Sequence, residues 1–354
     1  MHAFAVHPDD TTIHDLNIPT PSPEGRNVLL KVMRAGVCHT DTHLRAGGYD
    51  LGSRGLMSMK DRGIEYPMVL GHEVVGIVEQ VGDDVESVRP GDVRLIYPWI
   101  GCGECRHCRD GNDNRCAAGR NLGVARHGGY AEYILVPDDK YLVDIEGLDP
   151  SWAATLACSG LTAYSAVDKV LPLEPDEPVV LFGAGGLGLT AIALLRARGH
   201  RNICAVDVAE GNLSLARNMG ASSTVLSEPG SEAKDIRRAA GGPASAVVDF
   251  VNNGVTAASA FEILTKAGHM VQVGLFGGEV TIPTALLALR MIHIEGSFVG
   301  TLSQLQDLVR IAQSGKLPNI PVVERALSAA EVSRALDDLT AGGVAGRIVL
   351  TASH

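Results

Sequence analysis

Six of the seven cysteines in this chain fall into two groups, each of a kind that could hold a zinc ion. Cys102, Cys105, Cys108 and Cys116 lie in GCGECRHCRDGNDNRC, a C-x2-C-x2-C-x7-C run. Four thiolates close a tetrahedral shell and leave no position for a substrate, the mark of structural zinc. Cys38 (in GVCHTDTH), His72 (in GHE) and Cys158 (in LACSGLTAY) form the second group. Three protein ligands with a vacant fourth position are the mark of catalytic zinc. These three are distant in sequence, and spacing alone does not bring them together. Taken singly, a cysteine such as Cys158 is more often a small buried apolar residue, and a histidine such as His72 an ordinary structural one. Glu73 stands beside His72, placed either to approach the metal or to hold a neighbouring group. Asp41, three residues after Cys38, is placed to accept from the free ring nitrogen of His72, a contact that fixes tautomer and basicity.

A second chemistry is written into Gly183-Ala184-Gly185-Gly186-Leu187-Gly188, which fits G-x-G-x-x-G. The motif is weak alone, but here it follows an apolar strand signal, opens a helix signal, and has Asp207 at the end of the next strand signal. Its glycines allow a tight turn and close approach of the backbone to a pyrophosphate, which sits against the helix N-terminus. Asp207 is suited to the adenosine ribose hydroxyls and would repel a 2′-phosphate. No arginine follows it in Val208-Ala209-Glu210. NAD is therefore expected over NADP.

The elements that must position these groups come in two textures. Residues 1 to about 150 read as β-rich, with short runs such as Val28–Val32, Val74–Val78 and Tyr130–Val136 between Gly, Pro and Asp punctuation. From Val179–Phe182, an unalternating strand of the doubly buried kind, strands and helices alternate. Helices are expected over Leu187–Ala197 and Leu213–Met219, and strands over Asn202–Val206, Ala246–Phe250, His269–Val273 and Ile292–Val299. That alternation predicts a doubly wound parallel sheet. The tail, with helices near Ser303–Ser314 and Ala329–Ala341 and a strand at Arg347–Leu350, returns to the first texture. Asp50–Glu65 reads as a long loop. Trp99 is either packing or a pocket wall, and Cys204 reads as a buried core thiol. His127, His200, His269 and His293 read as structural or surface groups.

Composition narrows the field of partners. The 354 residues carry 30 Lys and Arg against 41 Asp and Glu, for a formal net charge of -11. Nucleic acid and anionic membranes both favour cationic surfaces, so neither is an expected partner. In the cysteine lobe, Arg106, His107 and Arg109 are balanced by Glu104, Asp110 and Asp113, which argues against a nucleic-acid zinc module. The N-terminal stretch lacks the basic start and apolar run of a secretory signal. No run approaches the length of a membrane helix. A reducing cytoplasm is expected, where clustered cysteines are metal ligands rather than disulfides.

Together these segments resemble the zinc-dependent medium-chain alcohol dehydrogenases. The likeness is carried by GVCHTDTH, GHEVVGIVEQVG, the Cys102–Cys116 lobe, GGYAEY, LACSGLTAY, GAGGLG, VDF and GRIVL, in that order along nearly the whole chain. It implies a GroES-like catalytic domain (1–159 and 299–354, metal lobe about 98–118) around a Rossmann NAD-binding domain (160–298). It also implies two zinc ions per chain, with Cys38, His72 and Cys158 on the catalytic one and Glu73 able to join them transiently. Thr40 matches the hydroxyl that touches the substrate oxygen, and His43 the outer end of a proton relay. His39 and Arg347 match basic contacts to the pyrophosphate. Val273, Phe298 and Val299 match segments at the nicotinamide end. Asn212 stands where many relatives carry a lysine near the ribose. The expected reaction is reversible hydride transfer between a primary or secondary alcohol and NAD, giving an aldehyde or ketone. Trp99, Leu122 and Phe298 point to a hydrophobic or aromatic substrate. A homo-oligomer is expected, tetramer over dimer. The rival readings are a zinc-free reductase of the same superfamily and a catalytically silent NAD-binding protein.

Overall fold

The apolar run Val179–Phe182 is a strand at the centre of a six-stranded parallel sheet, with every residue buried. Across the sheet the order is Ser223–Leu226, Ile203–Asp207, Val179–Phe182, Ala244–Asp249, Leu264–Gln272 and His293–Gly296. The chain leaves the central strand first toward one edge and then toward the other. The resulting switch point lies at the strand ends that carry the glycine turn, where such sheets bind their ligands. The structure is a computed structural model that describes residues 1–8, 10–227 and 233–352.

Helices flank the sheet as the pattern predicts, with small shifts at their ends. Gly186–Ala197 follows the glycine turn. Glu210–Met219 ends at Gly220, whose φ of 107° is a left-handed cap. The structure adds elements over stretches that the pattern leaves unassigned. Ala233–Ala239 and Gly254–Ile263 are helical and Ser223–Leu226 is an edge strand. The helix from Gly254 opens on a glycine and carries a β-branched pair, so its propensity is poor. Asn253 compensates by accepting the N–H groups of Val255 and Thr256.

The second half is built on a larger sheet in the order Leu142–Asp144, Val93–Ile96, Glu73–Val81, Val28–Gly36, Arg347–Thr351 and Val322–Ala326. Strand Tyr133–Val136 also pairs with Val28–Gly36. Arg347–Thr351 pairs antiparallel with the same strand, Val349 opposite Gly36, so the end of the chain closes the sheet its beginning started. Asp50–Glu65 is not wholly a loop. Gly48–Asp50 and Leu56–Ser58 form a short hairpin around the helical turn Gly52–Arg54. Strands of three residues, Gly-Tyr-Asp and Leu-Met-Ser, are too short to show a detectable periodicity.

Candidate functional site

Strand register brings the first two ligands together. Gly36 lies opposite Glu73 in the pairing of Val28–Gly36 with Glu73–Val81. Cys38 follows one strand and His72 precedes the other, so both emerge at the same end. Cys158 arrives from beneath, in the π turn Leu156–Gly160 between helices Pro150–Thr155 and Leu161–Val170. Such wide turns recur at functional sites because they re-aim one side chain. The ligand atoms of Cys38, His72 and Cys158 all lie within 4.8 Å of one another, and all three residues are buried.

Asp41 holds this group in place. Its carboxylate accepts the N–H of Cys38 at 3.0 Å, the N–H of Gly71 at 3.2 Å and the Tyr130 hydroxyl at 3.0 Å. Nδ1 of His72 lies 3.2 Å from Asp41 Oδ1. Both ring nitrogens of His72 are buried without a well-aligned hydrogen bond, and Nε2 has no polar partner in the carboxylate at all. An orphaned imidazole nitrogen beside two thiols is a costly arrangement unless an electrophile sits there. The sulfurs of Cys38 and Cys158 are 3.8 Å apart. The hydrogen bond from Cys158, with help from His72, holds Cys38 well below the ordinary thiol value and raises Cys158. Two thiols and an imidazole of this character fit a zinc ion.

Glu73 is not drawn into the group. Its carboxylate pairs with Arg347 and accepts the N–H of Ser159 at 3.1 Å. Burial pushes Glu73 up to about 7, against the pull of the Arg347 guanidinium. Arg347, only 4% exposed in its side chain, packs beneath the glycine turn: a Cβ on Gly186 would fall 2.3 Å from its Cδ. The residue expected to reach a pyrophosphate thus lies under the turn and spends one guanidinium nitrogen on Glu73.

The turn itself has the geometry its sequence requires. Gly183 has φ of 89°, and a Cβ on Gly188 would fall 2.0 Å from the Gly183 carbonyl oxygen. Gly185 caps the helix that begins at Gly186. Asp207 reaches back to this turn, accepting the Ala184 N–H at 2.7 Å and the Ala209 N–H at 2.9 Å. Asn212 donates to the same carboxylate at 3.2 Å.

Between the halves lies a deep apolar pocket lined by Cys38, Cys158, Thr40, His43, Leu187 and Val273, among others. His39, Phe298 and Val299 also line it. Burial lowers His39 and His43 below the ordinary imidazole value. His43 borders an outer groove as well, with its Nε2 buried and unpartnered. Trp99 is both packing and wall. It is 1% exposed, donates Nε1–H to Ala157 O at 3.0 Å, and sets its ring 5.3 Å from His72 and 5.5 Å from Phe298. Leu122, expected near the substrate, is 1% exposed and does not line the pocket. Thr162, Phe250 and Ser297 also line it; the first two stand in the LACSGLTAY and VDF segments without an assigned role, and Ser297 lies outside every motif. Tyr130, which steadies Asp41, stands in the GGYAEY motif.

The four cysteines of the lobe also converge, their sulfurs within 4.8 Å of one another. Backbone N–H groups of Glu104 and Cys105 hold Cys102 down to about 6, while burial pushes Cys108 up to about 12. All seven cysteines are unpaired, and Cys204 is fully buried.

Comparison with known proteins agrees with this arrangement. Residues 24–147 match the alcohol dehydrogenase GroES-like domain, and residues 186–314 match the zinc-binding dehydrogenase family. An NAD-dependent alcohol dehydrogenase of Sulfurisphaera tokodaii is 38% identical over 336 residues, 94% of this chain and 95% of that protein. One from Saccharolobus solfataricus is 36% identical over 337 residues, 94% of each. The solved alcohol dehydrogenase of Aeropyrum pernix superimposes with a TM-score of 0.89 at 31% identity, covering 99% of this chain and 100% of that one. With its GroES-like half, its parallel nucleotide-binding sheet and relatives that match over nearly their whole length, the chain belongs to the NAD-dependent alcohol dehydrogenases of the medium-chain dehydrogenase/reductase superfamily.

Proposed function

We propose that NAD-dependent alcohol oxidation by this chain takes place at the buried Cys38–His72–Cys158 group, with a second zinc in the Cys102–Cys116 lobe. The observation that carries this is the convergence of those three ligands on the wall of the pocket that also holds Thr40, His43 and Leu187. Bound zinc supplies a Lewis acid that polarises and acidifies a substrate hydroxyl, and bound NAD supplies the hydride acceptor.

The chain's own residues do the rest. Asp41 keeps His72 in one tautomer and orientation. Trp99, Phe298 and Val299 exclude water and set the distance between hydroxyl and cofactor. The Thr40 hydroxyl takes the substrate's proton and passes it outward, and His43 receives it at Nε2. Because burial lowers His43, its ring is neutral near pH 7 and ready to accept. The groove on its other side, lined by Thr11, Thr12 and Ser333, lets the proton leave. Arg347 acts through the glycine turn on which it packs, while His39 lines the pocket at the expected pyrophosphate side.

The reading includes a homo-oligomer. Leu289, Met291 and Ile294 are exposed around the strand His293–Gly296, whose outer edge has no partner among the described residues. A cytoplasmic home is part of it too, favoured by seven unpaired cysteines. Among the described residues no helix is long and apolar enough to cross a membrane.

An NADH absorbance assay over alcohols and carbonyls, run beside metal analysis, tests the reading. Two zinc ions per chain, one for each group, with alcohol-dependent NAD reduction are expected. A zinc-free chain that reduces activated double bonds would overturn it.

A further inference from the structure

The mouth of the cleft carries three arginines from three different segments. Arg54 ends the helical turn Gly52–Arg54 of the short hairpin, Arg62 lies in the segment returning from it, and Arg115 belongs to the metal lobe. All three line one cavity of about 1040 Å³. Thr40, Trp99 and Phe298 line that cavity as well, and they also line the deep pocket beside Cys38 and Cys158. The two spaces therefore adjoin, with these residues as their shared wall.

The three guanidinium groups are exposed, and among the described residues none forms an ion pair. Acidic side chains outnumber basic ones in this chain, 41 to 30, so an unpaired basic rim runs against its average. The two carboxylates on the same wall are held by local hydrogen bonds, although Arg54 is near enough to Glu279 to help keep its carboxylate below the usual range. Asp50 accepts the Gly52 N–H at 2.9 Å, and Glu279 accepts the Ser53 hydroxyl at 2.8 Å. The second of these bonds ties the hairpin to the nucleotide-binding half and so fixes Arg54 at the rim.

We propose that the natural substrate is an alcohol bearing an anionic group, carboxylate or phosphate, at the end remote from its hydroxyl. The deep pocket takes the hydroxyl and the apolar middle of the molecule. The rim arginines take the anion, which their planar forks can grip through two parallel hydrogen bonds. This rests on the alcohol-oxidising reading above and adds the substrate class to it.

Three probes of one shape test it: 4-methylbenzyl alcohol, 4-(hydroxymethyl)benzoate and 4-(hydroxymethyl)phenyl phosphate. The zinc-loaded enzyme should show a higher kcat/KM for at least one anionic probe than for the neutral one, and the stronger of the two names the anion. That preference should shrink about fivefold in Arg54→Gln and again in Arg62→Gln, the scale of one solvent-exposed ion pair. It should also weaken as salt is raised. Calorimetric titration of the same probes into the NADH complex reads the same ratio without turnover. If no probe is oxidised, the alcohol-oxidising reading fails, and the calorimetric ratio still decides the anion site. A neutral probe preferred or matched in both measurements, or a ratio indifferent to both substitutions, overturns the proposal.

Discussion

His72 and Asp41 face each other in full burial, Nδ1 3.2 Å from Oδ1, with both side chains 0% exposed. A carboxylate with no solvent contact needs partners: the N–H groups of Cys38 and Gly71 and the Tyr130 hydroxyl donate to it, and the imidazole lies against it. Asp41 therefore sets the pose of the metal ligand from behind. Asp41→Asn should weaken zinc at this site by about 10- to 100-fold, measured by chelator competition. Zinc held as tightly as in the parent would show that the contact is only structural.

Burial lowers His43, so its ring is neutral above that lowered value and protonated below it. A relay through neutral His43 loses rate as pH falls through this value. In His43→Gln the proton must leave by hydroxide or buffer instead. Alcohol oxidation should fall by roughly tenfold near neutrality and recover in alkaline buffer. A rate profile parallel to that of the parent would remove His43 from the relay.

The lobe cysteines converge away from the deep pocket. Cys105→Ser breaks the four-thiolate shell, and metal binding there is folding free energy. The thermal midpoint should drop by roughly 10 °C, with one zinc lost per chain and kcat at low temperature little changed. A large loss of kcat with an unmoved midpoint would assign the lobe a different role.

Asp207 turns both oxygens toward the glycine turn and Asn212, leaving a negative charge where the adenosine ribose of NAD is expected. Asp207→Ser should raise the KM for NAD about tenfold, or about 1.4 kcal/mol, and narrow the preference over NADP. Steady-state kinetics with both cofactors measures this, and an unaltered preference counts against the assignment.

Glu73 and Arg347 form a buried ion pair, neither side chain more than 4% exposed. Glu73→Ala leaves the guanidinium uncompensated, at a cost of about 3–5 kcal/mol. Exchanging both partners for Gln and Met should restore much of the thermal midpoint. A single variant as stable as the parent would mean that water reaches Arg347.

The chain's local chemistry is legible without a structure. Ligand types and spacing mark the lobe, because its four cysteines lie within fifteen residues of chain. The glycine turn and Asp207 are equally local: a positive φ at Gly183 and a backbone approach at Gly188 admit few other residues. The parallel sheet follows from periodicity, and its central strand lies where the pattern puts it.

Other relationships depend on packing between distant segments. Cys38 meets His72 only because Gly36 registers with Glu73, and Cys158 joins them through one π turn. Glu73 turns away to Arg347 because a residue 274 positions along the chain is threaded beneath the glycine turn. The hairpin at Gly48–Ser58 carries almost no periodic signal, yet contacts of Ser53 and Gly52 with Glu279 and of Asp50 with Gly277 place it across the cleft. Spacing and backbone preference act over a few residues and can be read from the chain. Which distant side chains share a pocket is settled only when the two halves close on each other, since burial and strand register decide it.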